Sequence, residues 1–185
     1  MRIIGGIHRG RALSPVGRGD PAAHLRPTTD RVREALFNVL SGGRFGDPVT
    51  GAHVLDLFAG TGALGLETLS RGAASVCFVE SGRKAQAILR RNLTLLGVEG
   101  RIVTRDATRL GAAPRAFDLV FLDPPYGMGL GERAVEAALS QGWIEDGALI
   151  VWEEAAPPIL PRALDPLDQR KYGDTHVTFA RVALG

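Results

Sequence analysis

The chain has 185 residues, 45% hydrophobic and 23% charged, with a formal net charge of +2, which suits one domain whose core needs no disulfide or metal staple. Its longest apolar runs, such as residues 147–152, are too short to span a bilayer, and its first residues hold no apolar stretch of signal-peptide length. A lone cysteine, Cys77, excludes an internal disulfide; a cytoplasmic protein, monomeric by default, is expected.

In chain order, residues 1–14 read as a short hairpin, with Ile3-Ile4 and Arg11-Ala12-Leu13 flanking a glycine-rich turn. Residues 15–27 read as a loop. From Thr28 the period becomes helical, with Val32, Ala35, Leu36, Val39 and Leu40 on one face, an N-cap among Thr28, Thr29 and Asp30, and Gly42-Gly43 as the stop. Strands and helices then alternate: a strand over 54–58, a helix to about 71, a strand over 75–79, and an amphipathic helix over 83–96. Strands over 101–104 and 117–122, a helix over 131–140 and a strand over 148–152 follow. Such alternation predicts an α/β fold with a mostly parallel sheet covered by helices on both faces. Segments 169–172 and 176–182 around Gly173-Asp174 predict an antiparallel hairpin at the sheet edge, and Pro157, Pro158 and Pro161 interrupt any long helix before it. Glu153 and Glu154, at the end of an apolar strand, are expected on a solvated face.

Charge is uneven along the chain. Residues 1–34 hold seven arginines against three acids, a net +4, which leaves −2 for the remainder. A basic end on a near-neutral body suits a phosphate-rich partner, and Arg9, Arg11 and Arg26 are the preferred phosphate contacts. The plainer alternative is biased codon usage, since the chain has 20 Arg and 2 Lys.

Two segments carry chemistry. Gly60, Gly62 and Gly65 form GxGxxG between the first strong strand and a helix, where a tight turn lets a ligand touch backbone. Alone the pattern is only a tight turn, but Glu80 ends the next strand, 24 positions after Asp56, where an acid can accept both hydrogen bonds of a ribose diol. A dinucleotide would bring a pyrophosphate to the helix N-terminus. Asp56, four residues before the first glycine, suits instead the ammonium and sulfonium of S-adenosylmethionine. Phe58 in the loop, and Asp106 with Ala107 past the third strand, complete the candidate cofactor set; Asp106 reads equally as an adenine acceptor or as a surface turn cap.

The second segment, Asp123-Pro124-Pro125-Tyr126, follows the apolar strand at 117–122. Two prolines make a stiff turn lined with carbonyl acceptors. Asp123 and the Pro124 carbonyl suit the two protons of an –NH₂ group, and Tyr126 offers a face on which a base can stack. An exocyclic amine is a poor nucleophile because its lone pair is delocalised into the ring. Accepting both its protons localises that pair for in-line attack on a methyl group, and the base must leave its stack to arrive.

Asp-Pro-Pro-Tyr together with Asp-x-Phe-x-Gly-x-Gly resembles the class I amino-methyltransferases of nucleic acid bases. More narrowly, Met1-Arg2-Ile3-Ile4-Gly5-Gly6, Arg9-Gly10-Arg11, residues 26–38 and Lys171-Tyr172-Gly173-Asp174-Thr175 resemble the bacterial 16S ribosomal RNA guanine-N2 methyltransferase family over nearly the whole chain. The resemblance implies a seven-stranded Rossmann-like catalytic core over 28–185 with a basic extension over 1–27, together one domain. It implies S-adenosylmethionine held by Asp56, Gly60 and Gly62 at the methionine end, Glu80 at the ribose and Asp106 at the adenine. It also implies a guanine of small-subunit rRNA, in an assembled or partly assembled subunit, at Asp123, Pro124, Pro125 and Tyr126. Arg18 is a further possible RNA contact. Cys77, inside a strand, is a poor nucleophile, and His8, His24, His53 and His176 lack metal-ligand spacing, so no metal is expected. The rivals are a DNA adenine-N6 methyltransferase, a small-molecule or protein N-methyltransferase, a dinucleotide-dependent oxidoreductase, and a non-catalytic RNA-binding relative.

Overall fold

The computed structural model describes residues 1–16 and 28–185. Strands β1 (His53–Leu57), β2 (Ser75–Val79), β3 (Arg101–Val103), β4 (Phe117–Leu122), β5 (Ile144–Glu154), β6 (Leu164–Tyr172) and β7 (Thr175–Val182) form one sheet in the order β3-β2-β1-β4-β5-β7-β6. The first five strands run parallel; β7 lies antiparallel to β5, and β6 to β7. The helices among the described residues are α1 (Asp30–Ser41), α2 (Ala63–Ser70), α3 (Arg83–Leu96) and α4 (Leu130–Ser140), with a 3₁₀ turn over Ala107–Arg109. This is the α/β architecture expected, with the predicted hairpin at the edge.

β1, β2 and β4 are buried on both faces, which is why they read as continuous apolar runs rather than alternating ones. Alternation along the strands divides the core in two. Val54, Leu119, Phe121, Val151 and Phe179 pack with Leu36, Phe37 and Leu40 of α1, Leu66 of α2 and Leu89 of α3. Leu55, Leu57, Leu122, Ile150 and Trp152 pack with Ala134, Val135 and Ala138 of α4 on the other face. The chain winds outward from β1 through β2 to β3, then returns to β4 on the other side of β1. In such sheets the crevice past the carboxyl ends of the strands flanking this reversal is where ligands bind.

The N-terminal residues form a hairpin-like loop with one isolated bridge, Arg2 to Ala12, rather than two regular strands. They are fastened to the core by side chains. Glu67 of α2, fully buried, accepts from the Ile4 and Gly5 backbones at 3.0 and 2.8 Å and from Arg71 Nε at 2.9 Å. Arg33 of α1, also fully buried, pairs with Asp30 at 2.8 Å, faces Glu67 at 3.7 Å and donates to the Arg2 carbonyl. Gly6 is required here: its φ is +77°, and a Cβ would stand 1.8 Å from the Ser70 carbonyl oxygen.

Several element boundaries differ from the sequence reading. β5 runs eleven residues rather than five, its early part hidden in the sequence by Glu145, Asp146 and the left-handed Gly147 (φ 77°). β6 begins at Leu164, well before 169; it is an edge strand, which tolerates Pro166 and its polar neighbours. β1 stops at Leu57 because Phe58 turns to φ 56°. Thr29 is the α1 N-cap, its hydroxyl accepting from the Val32 backbone at 3.2 Å.

Candidate active site

β1 and β4 are paired with Leu57 beside Leu122, so the loops starting at Phe58 and Asp123 leave the sheet side by side. Phe58 is, among the described residues, the non-glycine residue with a positive φ, and such strained backbone gathers at functional loops. Gly60 and Gly62 follow at φ 57° and 82°, and the Gly62 N–H closes the turn on the Ala59 carbonyl at 2.8 Å. Gly65 serves close packing instead: a Cβ there would lie 2.4 Å from the Phe78 ring and 2.8 Å from Val76.

The acids around this loop hold it in shape. Asp56, 1% exposed, accepts from the Gly65 N–H at 3.0 Å, tying β1 to the first turn of α2. Burial pushes its carboxyl well above the usual range against the pull of the Gly65 bond, and Asp123 and Glu80 push it further. Glu80 is half-buried at the tip of β2 and spans two backbones, Gly60 N–H at 2.8 Å on one oxygen and Gly82 N–H at 2.9 Å on the other. Asp106 does cap a turn: the Thr108 hydroxyl and N–H both donate to one of its oxygens, at 2.7 and 2.8 Å, holding its carboxyl below the usual range. Ala107 beside it is buried. Because the Glu80 N–H bonds the Val103 carbonyl at 3.1 Å, the tips of β1, β2 and β3 form one acidic rim. No basic residue stands between Asp56 and Gly65 to meet a pyrophosphate, whereas the carboxylates suit an ammonium, a ribose diol and an aromatic amine.

On the other side of the seam, Asp123 is half-buried and receives the Thr28 hydroxyl at 3.4 Å. Pro124 is buried beneath it, while Pro125 and Tyr126 stay partly open. The Tyr126 hydroxyl meets Thr175 at 3.2 Å, so the start of β7 sets the angle of the ring. Gly127 donates to Glu154 at 3.2 Å, fixing the exit of the turn. The sequence reading put Glu153 and Glu154 on a solvated face; they are 2% and 8% exposed. β5 is an interior strand, covered on both faces to its last residue, so its end is not a surface. Thr28, Thr175 and both glutamates were missed as site residues. The signal for Glu153 was its alternation with Leu149 and Val151, which face the core.

Of the arginine candidates, Arg9 and Arg11 lie on the N-terminal loop rather than in the seam. Ile7 and His8 bond Ser70 at the C-terminal end of α2, and Arg11 reaches the Leu95 carbonyl at the C-terminal end of α3. Along α3, Leu95 comes three residues after Asn92, whose amide donates to the Thr61 carbonyl of the glycine loop at 3.0 Å. Arg26 and Arg18 lie outside the described residues. Cys77 is 2% exposed within β2, and burial pushes its thiol up to about 11, which leaves it inert. No helix among the described residues is long and apolar enough to cross a membrane.

A sheet wound outward from a glycine loop and back to Asp-Pro-Pro-Tyr, with acids at the tips between, defines a class I S-adenosylmethionine-dependent methyltransferase. Residues 1–181 match the family described as Conserved hypothetical protein 95. Ribosomal RNA small subunit methyltransferase D of Escherichia coli is 43% identical over 163 residues, 87% of this chain and 78% of that protein. Its namesake in Haemophilus influenzae is 35% identical over 181 residues, 94% and 89% of the two chains. The structure of the E. coli methyltransferase yhhF superposes with a TM-score of 0.84 at 37% identity, covering 100% of this chain and 99% of that one. This chain belongs to the small-subunit ribosomal RNA methyltransferase D family.

Proposed function

We propose that this chain transfers the methyl group of S-adenosylmethionine to the exocyclic N2 amine of a guanine in 16S rRNA, within an assembled or partly assembled small subunit. The observation that carries the reading is the seam itself: the cofactor loop and Asp123-Pro124-Pro125-Tyr126 leave paired strands one residue past Leu57 and Leu122. The names of the relatives supply the RNA, and Asp123 with the Pro124 carbonyl supplies the two acceptors an amine needs.

Bound S-adenosylmethionine supplies an electrophilic methyl group. Gly60 and Gly62, with Phe58 in the same turn, line its methionine end, Asp56 answers its ammonium, Glu80 its ribose, and Asp106 with Ala107 its adenine. Asp123 and the Pro124 carbonyl accept the amine protons and aim the nitrogen lone pair across the seam. Pro125 and Tyr126 sandwich the flipped base, Tyr126 held by Thr175. As the N–CH₃ bond formed, the S–CH₃ bond would break, and the alkylated nitrogen, now acidic, would give one proton to Asp123. Arg9, Arg11 and Arg26 bind phosphates of the RNA. One catalytic unit over 28–185 with its extension over 1–27 acts as a monomer, in the compartment that holds small subunits.

The deciding experiment is methyl transfer from labelled S-adenosylmethionine to small subunits lacking the modification, with naked rRNA and unmethylated DNA in parallel. N2-methylguanosine from subunits is expected; N6-methyladenine in DNA would replace the target while keeping the site. The variant Asp123→Ala should bind S-adenosylhomocysteine within about twofold of the wild type yet lose at least about a hundredfold in transfer. Calorimetric loss of that binding would move Asp123 to the cofactor side.

A further inference from the structure

Glu153 is a carboxyl group that the scheme above leaves unused. It is 2% exposed, and its Oε1 has no hydrogen-bond partner, an expensive condition for a buried polar atom. Its location follows from the sheet. Phe121 pairs with Val151 and Leu122 with Trp152, so Asp123 and Glu153 follow that last pair directly on neighbouring chain segments. Phe121 and Val151 point into the core beneath α1 and α2, and alternation returns Asp123 and Glu153 to that same face. Asp56 of β1, level with Phe121, shares it.

The helix above supplies a countercharge. Phe37 of α1 packs on Phe121 with ring centroids 6.0 Å apart, and Arg33 stands four residues earlier, about 6 Å along the axis. Two strand residues cover about 6.6 Å, so Arg33 is level with Asp123 and Glu153. Its Nε and Nη1 also lack hydrogen-bond partners. Facing Glu153 are therefore Asp123 from β4, Asp56 from β1 and Arg33 from α1, while β7 offers Val177. Burial drives the Glu153 carboxyl toward its protonated form, Asp123 and Asp56 drive it further, and Arg33 opposes them incompletely. Two carboxyls this close share one proton readily. It resides on Glu153, the more deeply buried of the two.

We propose that Glu153 in its neutral form is a positioning residue for Asp123, donating its O–H to the Asp123 carboxylate from within the core and so turning the other oxygen toward the target amine. The inference rests on the amine reading of Asp123 given above. During transfer the N–CH₃ bond forms as the S–CH₃ bond breaks, and one amine proton passes to Asp123. Glu153 keeps its own proton throughout.

Glu153→Leu and Glu153→Gln test this with small subunits as substrate. A lost hydrogen bond to a charged group lowers rate about tenfold to a hundredfold, so Leu should reduce kcat by that factor. KM for subunits and affinity for S-adenosylhomocysteine should change little. Gln, which keeps a neutral donor, should recover most of the loss. The wild-type pH–rate profile should fall on its alkaline side as Glu153 ionises, and that limb should move upward or vanish in E153Q. A role confined to packing would leave the limb in place. Leu as active as the wild type, Gln as impaired as Leu, or an unmoved limb in Gln would each overturn the proposal. Should the Leu variant not fold, the Gln profile decides alone. A wild-type enzyme inactive on subunits would count against the substrate reading instead, since the variants are compared only where it turns over.

Discussion

Three carboxyls, Asp56, Asp123 and Glu153, look into one face of the sheet from three adjacent strands, and burial holds Asp56 and Glu153 toward their protonated forms. Asp56, buried and bonded to Gly65, holds its proton above the usual carboxylate range. An ammonium brought to it favours the ionised form, so binding of S-adenosylhomocysteine should tighten as pH rises through that range toward the raised value and should release a proton. Calorimetry in buffers of different ionisation enthalpy measures the proton directly. Asp56→Asn should flatten the pH dependence; a slope unchanged in that variant would leave Asp56 as an organiser of the loop alone. The sequence made Asp56 and Asp123 visible because both follow apolar strands at points where the chain must turn. Glu153 escaped because a strand end reads the same whether or not neighbours cover it, and only the strand order revealed the cover.

At the scale of elements, one buried side chain of α2 is central to the fastening of the N-terminal loop. Glu67 takes two backbone N–H groups from residues 4 and 5 and shares a fully buried site with Arg33. Removing one partner of a buried pair costs about 3–5 kcal/mol, so Glu67→Ala should lower unfolding stability in urea by that amount and free residues 1–16 for proteolysis. A loss below about 1 kcal/mol would mean that Asp30 suffices for Arg33. Glu67→Gln should be milder, since its amide oxygen still accepts. None of this was legible beforehand: Glu67 sits within a helical pattern, and nothing local tells which face the N-terminus will cover. α3, by contrast, was bounded to the residue. Its buried Ala85, Ile88, Leu89 and Leu96 keep strict helical spacing, and Gly97 takes the left-handed stop at φ 65°. β6 was half seen because an edge strand carries little apolar signal.

Across the whole molecule, the basic hairpin turn lies outside the seam, fastened to the C-terminal ends of α2 and α3. A partner touching both must extend beyond the one nucleoside at the seam. Arg9→Ala with Arg11→Ala should weaken binding to subunits and reduce the salt slope of log K by about 1–2, raising KM and sparing kcat. Filter binding across a salt series reads it; an unchanged slope would remove both arginines from the RNA face.

The seam between β1 and β4 also divides the gene. Everything assigned to the cofactor comes from one unbroken stretch, Asp56 to Ala107, while the target side is assembled from Thr28 and from Asp123 onward to Thr175. The two inventories share no residue and meet along a single pair of strands. Substitutions that retune which nucleotide is modified can accumulate on one side while the methyl donor stays the same, so a lineage can change its target without reinventing its chemistry.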